Sequence, residues 1–416
     1  MASDIFRLII SVLRLGLPLL PRLLSQKLYA IYHKWVYKAT PSAKNVVVLG
    51  GSFAGVELVK RLCDTLPTGY KVILIEQNSH FNFTFNFPRF SVLPGREHLL
   101  FIPYDGIARS KPDGIFTLVQ GEAVGITENA IRLSSGGKVE FEYLAIATGS
   151  SSPPPAKLAA HNRDDACAEF QGLQKKIAHS NKIAVVGGGA VGIELAADVK
   201  TFYPDSDVTL IHSRDQLLPN FGKRLHDHVT LVFEQLGIRI LLNERPELGS
   251  NTLAFSNGGV ENFDLVIPCT GQRPNSKILT ELDPDSISKE SSRILVSPTL
   301  QVLHENNKFP HIFAFGDVAE TGGPKMARAS LFQGDIVARN IFDSIHGKPS
   351  SHVYKPLMEL EGSIKLTLGK KKGVIYSMND RGGDILVPIK GGKEELEIAR
   401  AWGMLGMDIS TARSVI

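Results

Sequence analysis

Two stretches of the chain repeat one succession of apolar and polar positions. A short, mostly apolar run, at residues 45–49 and again at Lys182–Val186, has the length and the branched side chains of a buried strand. Each run leads into a glycine-rich turn, a stretch with helical periodicity and a second apolar run. This order predicts two parallel βαβ units, and therefore an α/β fold with two Rossmann-like dinucleotide-binding domains.

The first turn has the composition of a phosphate-binding loop. Gly50 permits a tight turn, Gly55 permits close packing of the helix on the strand, and the helix N-terminus offers free N–H groups to a pyrophosphate. Glu76 ends the second strand, where an acid accepts hydrogen bonds from ribose hydroxyls. Ser52 stands where the motif has its second glycine. We expect a dinucleotide to be held by Gly50, Gly51, Ser52, Phe53, Ala54, Gly55 and Glu76.

The second turn carries the complete G-x-G-x-x-G pattern at Gly187, Gly189 and Gly192. An enzyme strict for NAD usually has an acid after the next strand, which binds the ribose 2′-hydroxyl and repels a 2′-phosphate. This chain has His212 and Arg214 there, which suit a 2′-phosphate through charge-assisted hydrogen bonds. We expect NADPH to be accepted, with NADH as a second donor. The alternative is that Arg214 only caps a surface turn.

Further motifs narrow the interpretation. The segment YLAIATG at residues 143–149 lies between the two units, and Cys269-Thr270-Gly271 and Phe315-Gly316-Asp317 follow them. Together with VTLIHS, CTGQRPNS, AFGDVAE, GGPKMARAS and VYKP, these segments resemble the two-dinucleotide flavoprotein superfamily, and within it the apoptosis-inducing-factor-like group on its ferroptosis-suppressor branch. Type II NADH dehydrogenases are the next relatives. The resemblance runs from residue 45 to the C-terminus.

The resemblance implies FAD as cofactor and NADH or NADPH as hydride donor. It adds to the residues of the first turn an FAD-binding set made of Arg89, the backbone at Ala123, Thr148, Gly149 and Asp317. The nicotinamide nucleotide would be held by Gly187, Gly189, Gly192, His212, Arg214 and Gly271. Three residues are candidates for the chemistry: Glu194 near the nicotinamide, Lys325 beside Met326 at the quinone-facing side of the flavin, and Lys390, which matches a flavin-proximal lysine loosely.

The function that the resemblance implies is an FAD-dependent NAD(P)H:quinone oxidoreductase. Two alternatives stay open: a redox-sensing signalling flavoprotein with slow turnover, and a reductase of a small electron-transfer protein. Cys63, Cys167 and Cys269 have no C-x-x-C spacing, which argues against a disulfide-reductase dithiol and against a structural zinc site. We expect no metal.

The domains follow from the positions of the motifs. We expect an FAD-binding domain at residues 45–152 and 297–348, an NAD(P)H-binding domain at 153–296 and a C-terminal α+β cap at 349–416. Within the cap, the segments SIKLTLG and GVIYSM alternate in polarity as strands do. Residues 1–44 precede the first unit as a separate arm.

The arm reads IFRLIISVLRLGLPLLPRLL over residues 5–24. On a helix, Arg7, Arg14 and Arg22 form one stripe, and apolar residues fill the rest of the surface. Three arginines are costly at the centre of a bilayer, and Pro18 and Pro21 are expected to interrupt the helix. A helix lying in the membrane interface, with its arginines towards the headgroups, fits this pattern better than a spanning one.

Charge supports a separate role for the arm. Residues 1–44 contain seven Lys and Arg and one acid, a net charge of +6, whereas the whole chain carries +4. The body is therefore slightly acidic, and no nucleic-acid partner is expected. The arm predicts attachment to a membrane surface, on the cytoplasmic face of an organelle such as the mitochondrial outer membrane or a lipid droplet. The alternatives are a mitochondrial presequence and a helix docked on the body of the protein itself.

Overall fold

The computed structural model describes residues 2–305, 308–379 and 382–413. Its helices, numbered here in chain order, are α1 (Ala2–Gly16), α2 (Leu20–Val36), α3 (Phe53–Thr65), α4 (Phe87–Phe90), α5 (Arg163–Ala178), α6 (Ala190–Phe202), α7 (Lys223–Leu236), α8 (Ala327–Ile345), α9 (Met358–Glu361), α10 (Ile398–Met404) and α11 (Ser410–Arg413). Short 3-10 turns lie at Leu17–Leu19, Thr84–Asn86, Glu97–Leu100, Tyr104–Ala108, Ser276–Leu279, Pro284–Ser286 and Gly316–Val318.

The first unit is built on a parallel sheet. Its strands lie in the order Ile312–Ala314, Tyr143–Ile146, Lys44–Leu49, Tyr70–Glu76 and Phe116–Gln120. The central strand is apolar and buried from Val46 to Leu49 because helices and loops cover both faces of a parallel sheet. The edge strand Ile312–Ala314 comes from far along the chain, so the unit is discontinuous in sequence. An antiparallel sheet of Ala123–Ile126, Ala130–Leu133 and Lys138–Glu140 and a hairpin of His80–Asn82 with Phe101–Pro103 complete it.

The second unit repeats the plan. Its parallel strands lie in the order Arg239–Leu241, Asp207–Ile211, Lys182–Val186 and Leu265–Pro268, with the hairpin Thr252–Ala254 and Val260–Asn262 beside them. The strand pair Ser150–Ser151 and Arg273–Pro274 joins the two units. The α/β fold with two Rossmann-like units that the sequence predicts is therefore confirmed.

The chain returns to the first unit earlier than the sequence predicts. Leu279 and Ile294 are fully buried in the same cluster as Leu144 and Ile146 of the first sheet. Ile294–Leu295 also pairs with Ala319–Glu320. The crossing back therefore lies near Pro274 rather than near residue 296, a position that no change in composition marks.

The C-terminal residues form an α+β cap on both units. Its antiparallel sheet contains Ile364–Leu368, Lys372–Met378 and Asp384–Lys390, which confirms the two strands that alternating polarity predicts. Leu366 and Tyr376 pack into the core of the second unit, whereas Ile398 and Trp402 pack into that of the first.

The arm is helical over nearly its whole length. α1 and α2 are separated only by the 3-10 turn Leu17–Leu19, because Pro18 and Pro21 occupy first-turn positions where a missing N–H costs little. The expected interruption is therefore only a short turn. By length and apolar composition alone, Ser3–Val36 is long enough to cross a membrane.

The arginine stripe faces the body, which corrects the orientation expected from the sequence. Arg14 forms an ion pair with Glu359, and Arg22 with Asp335. Acids from distant parts of the chain thus tether Arg14 and Arg22, which stay 61% and 41% exposed, whereas Arg7 pairs with Asp4 of its own helix. The alternative of a helix docked on the body of the protein therefore applies to the polar side of the arm.

Candidate functional site

The first glycine-rich turn joins the central strand of the first sheet to α3. Gly50 has φ +104°, and a Cβ on Gly55 would lie 1.8 Å from the carbonyl oxygen of Gly50. Only glycine fits both positions. Exposed Ser52 caps the start of α3, but its side chain makes no capping hydrogen bond. The first N–H groups of α3 therefore keep no side-chain acceptor and remain available for an anion.

Two buried side chains fix this turn. The Glu76 carboxylate accepts a hydrogen bond from the N–H of Gly51, and its other oxygen accepts from the backbone N–H of Asn78 at 2.9 Å. From the other side, the Tyr104 hydroxyl donates to the carbonyl of Gly51 at 2.7 Å. Burial raises the pKa of Tyr104 well above its ordinary value, so the hydroxyl stays protonated.

The fold brings the later motif residues to this turn. A Cβ on Gly50 would lie 2.5 Å from the carbonyl oxygen of Ala147, so Thr148 and Gly149 border the turn. A Cβ on Gly316 would lie 3.3 Å from that of Ala54, which places Asp317 nearby as well. One Asp317 oxygen lies 3.4 Å from the Ser150 hydroxyl.

Lys157 is a residue at this turn that sequence reasoning missed. Its ammonium donates to the Ser150 carbonyl and lies 4.0 Å from where a Cβ of Gly149 would be. Burial lowers the pKa of Lys157, while the charges of Asp317 and Glu76 act in the opposite direction. The only signal in the sequence was its position after the Ala-Thr-Gly segment. Beside the uncapped N-terminus of α3, the Lys157 ammonium suits a phosphate, whereas the two carboxylates suit the hydroxyl groups of a nucleotide.

Two further residues that are expected to bind FAD, Phe53 and Ala123, lie in different surroundings. Phe53 packs in an aromatic cluster, with ring centroids 5.0 Å from Phe81 and 4.6 Å from Phe85. Ala123 begins a half-buried strand close after Gly121, whose N–H donates to the backbone oxygen of Glu76. Ala123 therefore lies at the same edge of the first sheet as the turn.

Arg89 is placed differently from the expectation. Its side chain is 3% exposed, and its guanidinium lies 2.8 Å from the Asp198 carboxylate on α6 of the second unit. It also donates to the carbonyls of Gly369 and Glu394. These bonds direct the described donors of Arg89 to the second unit and the cap, which sequence patterns did not indicate because the partners lie far along the chain. Nε is buried without a partner among the described residues.

The second turn has the same backbone geometry as the first. Gly187 has φ +136°, and a Cβ on Gly192 would lie 1.9 Å from the carbonyl oxygen of Gly187. A Cβ on Gly189 would meet no atom within 4 Å, so the lack of a side chain there leaves open space at the start of α6.

His212 occupies the position in the second unit that Glu76 occupies in the first. Its Nδ1 accepts a hydrogen bond from the N–H of Gly188 at 3.1 Å. Burial lowers the pKa of His212, so the ring is neutral and its proton is on Nε2. This Nε2–H is buried without a partner among the described residues, and a ribose oxygen would satisfy it. Neutral His212 supplies one N–H donor, so the charged partner of a 2′-phosphate would be exposed Arg214.

Two Thr-Gly segments, Thr148-Gly149 and Thr270-Gly271, lie at the junction between the units. Gly149 has φ +65° and Gly271 has φ +57°. The carbonyl of Gly149 accepts from the N–H of Asn275 at 2.9 Å, and the Asn275 amide donates to the carbonyl of Thr148 at the same distance. Gly271 is exposed beside this junction. The ends of the strands Tyr143–Ile146 and Leu265–Pro268 are thus held together at the boundary that a donor and a flavin would share.

Glu194 lies one turn into α6 and faces the cap. One carboxylate oxygen accepts from the N–H of Thr367 at 2.8 Å and from its hydroxyl at 3.0 Å. Burial raises the pKa of Glu194 to about 7, and the nearby charge of Asp198 adds to this. A carboxyl group that titrates near neutral pH can hold or release a proton during turnover.

The two candidate lysines differ in exposure. The Lys325 ammonium donates to the carbonyl of Ala319 at 2.6 Å, just before α8, and burial lowers its pKa. Lys390 ends its strand in the cap opposite Lys372 and is exposed. Lys325 therefore lies in the folded interior near Asp317, whereas Lys390 lies on the surface of the cap.

The thiols are poor redox groups. Cys63, Cys167 and Cys269 are free. Burial raises the pKa of Cys63 and of Cys269 to about 12, and that of Cys167 to about 11. The thiolate, which is the reactive form, is therefore scarce at neutral pH.

Comparisons with known proteins identify the family. Residues 44–334 match the family described as pyridine nucleotide-disulphide oxidoreductase. Ferroptosis suppressor protein 1 of Homo sapiens is 30% identical over 352 residues, which cover 80% of this chain and 88% of that protein. Fe-regulated protein 8 of Mycosarcoma maydis is 29% identical over 88% of this chain and 95% of its own length.

A solved structure shows the same fold. The sulfide:quinone oxidoreductase of Aquifex aeolicus superposes with a TM-score of 0.69 and 18% identity, over 90% of this chain and 94% of that one. The two uncapped helix N-termini, the glycines that no side chain can replace and the buried partners Glu76 and His212 fit two dinucleotides. The chain belongs to the pyridine nucleotide-disulphide oxidoreductase family, as an FAD-dependent, NAD(P)H-using flavoprotein related to ferroptosis suppressor protein 1 and to apoptosis-inducing factor.

Proposed function

We propose that this chain is an NAD(P)H:quinone oxidoreductase whose acceptor is dissolved in a membrane. The family implies a small electron acceptor. The observation that carries the proposal is the outward face of the arm, which exposes an apolar surface along α1 and α2. Such a surface suits an enzyme whose acceptor is dissolved in lipid.

The residues divide the work between the two turns. The residues of the first turn, Glu76, Lys157 and Asp317 would hold FAD, which supplies the two-electron chemistry when bound. The second turn, His212 and Arg214 would hold the donor. Glu194 would hold a proton beside the nicotinamide, and Lys325 would present a positive charge on the acceptor side. Arg89 would contribute through Nε alone, and exposed Lys390 has the weakest case.

The arm would attach the enzyme to an organelle surface that faces the cytoplasm. Its exposed lysines and aromatic residues, such as Lys34 and Trp35, suit the headgroup region of an anionic leaflet. Residues 1–44 would then act as an interfacial anchor rather than as a presequence.

Steady-state turnover tests the proposed activity. FAD-loaded protein should oxidise NADH and NADPH continuously with a soluble, short-tailed quinone as acceptor. Reduction that stops after one equivalent of donor would favour a redox sensor instead. Turnover that requires an added ferredoxin-type protein would favour a reductase of a small electron-transfer protein. Each result would overturn the quinone proposal.

A further inference from the structure

A polar seam fastens the arm to the body along one side of its helices. The seam residues of the arm recur at helical intervals and are Asp4, Ser11, Arg14, Arg22, Gln26, His33 and Tyr37. Their partners come from every part of the molecule: Arg224 on α7, Glu359 on α9, Asp335 on α8, and the carbonyls of Leu66 and Tyr70 in the first unit. The seam therefore fixes which way the arm faces.

The other side of the arm is unpartnered and apolar. Of the 25 large apolar side chains that the described chain exposes, 16 lie on α1, α2 and the turn between them. Trp35 is 83% exposed and Phe6 is 64% exposed. A continuous apolar face of this kind needs a cover.

Charge identifies the cover as lipid. Exposed Lys27, Lys34 and Lys38 border the apolar face, and Tyr32 and Trp35 lie among them. Aromatic and basic side chains mixed in this way suit the boundary between headgroups and acyl chains. A second copy of the arm placed on this face would bring like charges together, which disfavours a dimer.

The seam also sets where the membrane lies relative to the acceptor side. Arg14 binds Glu359 on α9, and Arg328 in the first turn of α8 binds the neighbouring carbonyl of Leu360 at 2.7 Å. Arg22 binds Asp335, two turns further along α8. These ion pairs hold the segment between Arg14 and Arg22 close to α9 and to the N-terminal half of α8.

Lys325 immediately precedes this part of α8. Leu331 on α8 and Leu357 before α9 are 40% and 42% exposed, so the body adds its own apolar rim beside the arm. A Cβ on Gly16 would meet no atom within 4 Å, so no side chain of the body packs closely against the arm at this point.

We propose that the seam orients the protein on an anionic leaflet, with the arm's apolar face in the lipid and the start of α8 held at the lipid surface. The inference rests on the proposed function, because it places the acceptor side at the lipid surface. A lipid-soluble acceptor would be dissolved there. The ion pairs thus decide orientation, and the apolar face decides attachment.

Reversing the seam charges separates orientation from attachment. The seam variant is Arg14→Glu with Arg22→Glu, and its matched control is Lys277→Glu with Lys289→Glu. The control carries the same charge change on exposed lysines of the body, outside the arm. FAD-loaded full-length proteins are mixed with vesicles of phosphatidylcholine and phosphatidylserine that contain a long-tailed quinone.

We expect the seam variant to float with the vesicles as well as the control does, and to keep its turnover with a short-tailed soluble quinone. Its turnover of the vesicle-borne quinone should fall about tenfold below that of the control. Adding Glu359→Arg and Asp335→Arg should restore it, because the ion pairs re-form with reversed sign. Equal vesicle turnover in the seam variant and the control would show that the arm is only a tether.

A readout without turnover keeps this inference separate from the proposed activity. An environment-sensitive fluorophore on Leu331→Cys should shift to shorter wavelength when vesicles are added, and the shift should disappear in the seam variant. The same label on Val260→Cys, in the hairpin of the second unit, should not respond. A Val260 signal equal to that of Leu331, or wild-type protein that fails to float and forms dimers at increasing concentration, would overturn the inference. Failure of quinone turnover with the Leu331 shift intact would instead overturn only the proposed function.

Discussion

The two glycine-rich turns have nearly the same backbone but different polar partners. In the first unit, the N–H of Gly51 donates to the Glu76 carboxylate, and in the second, the N–H of Gly188 donates to Nδ1 of His212. Both partners end the second strand of their unit. One strand end therefore presents an acceptor to a ribose, whereas the other presents the Nε2–H donor of a neutral ring.

The chemistry of Glu76 and His212, rather than the completeness of each glycine motif, indicates which nucleotide each turn would bind. A carboxylate at the position of Glu76 would accept from ribose hydroxyls and repel a 2′-phosphate, which suits FAD. His212 has no negative charge to repel that phosphate, which suits a donor site open to both NADH and NADPH. The second turn matches the G-x-G-x-x-G pattern more completely than the first. Glu76, which lies outside that pattern, is nevertheless the residue that says more about which nucleotide binds.

The helices that follow the turns also diverge. Glu57 on α3 and Glu194 on α6 stand at the same offset from the last glycine of their turns. Glu57 forms ion pairs with Lys60 and Arg61 on the same helix, whereas Glu194 is covered by the cap at Thr367. The same local sequence position thus becomes a surface ion pair in one unit and a titratable buried carboxyl in the other.

Filling each turn with a bulky side chain is the strongest test of this comparison. Gly189→Trp should lower kcat/KM for NAD(P)H more than about 100-fold with flavin retained, because only the donor loses its close approach. Ser52→Trp, at the matching position, should yield protein without flavin. Absorbance at the flavin bands and turnover measure both. Flavin loss in the Gly189 variant would mean that the two sites are exchanged.

Removing the strand-end partners should have a smaller, equally local effect. Glu76→Ala and His212→Ala each leave a buried glycine N–H without an acceptor, a loss of about 1–3 kcal/mol. The first should weaken FAD binding and the second should raise KM for both donors, each roughly 5–150-fold. Fluorescence titration of apoprotein with FAD and initial rates provide the numbers. A change in FAD affinity in the His212 variant would contradict the assignment.

Arg214→Ala tests the donor specificity of the second turn. Arg214 is exposed, so its charged hydrogen bond to a 2′-phosphate would be screened by water and its loss should cost roughly 1 kcal/mol. KM for NADPH should rise about fivefold, and KM for NADH should stay unchanged. Lys223→Ala, on α7 of the same unit, provides the control. An equal change with both donors would show that Arg214 only shapes the surface turn.

The smallest expected effect distinguishes Glu194 from Glu57 through pH. The folded pKa of Glu194, about 7, lies above the ordinary value of 4.5. The protonated carboxyl is therefore favoured in the folded protein, and its stabilising contribution is complete below pH 4.5 and is lost as pH rises towards 7. The Tm of Glu194→Gln should fall less than that of wild type between pH 5 and 8. Glu57→Gln should follow the wild-type curve, and a parallel fall in all three proteins would refute the shifted pKa.

Much of the nucleotide architecture was readable before any coordinates. The strand at Lys182–Val186 agrees with its predicted bounds, and both turns contain the glycines that their backbone angles require. These features are local, since a tight turn and a buried strand depend on neighbours within a few residues. Thr148, Gly149 and Asp317 also lie at the first turn, where the resemblance places them.

Contacts between distant segments were not readable. The Arg89–Asp198 ion pair joins residues 109 apart, and Lys157 reaches the first turn only because the chain folds back after its proline segment. Leu279 and Ile294 return to the first unit without a marker in composition. Pairings of this kind depend on which surfaces meet, and an apolar or charged pattern fits many partners equally well.

The arm shows most clearly what each level decided. The sequence alone determined that α1 and α2 are amphipathic and that Arg14 and Arg22 share one face, because a helix repeats every 3.6 residues. It left open which way that face points, since helical periodicity records the relation of residues to one another and not to the body. Glu359 and Asp335, 345 and 313 residues away, turned the arginines inward and left the apolar face outward. Only the tertiary structure decided this, because it alone brings these acids beside the helix.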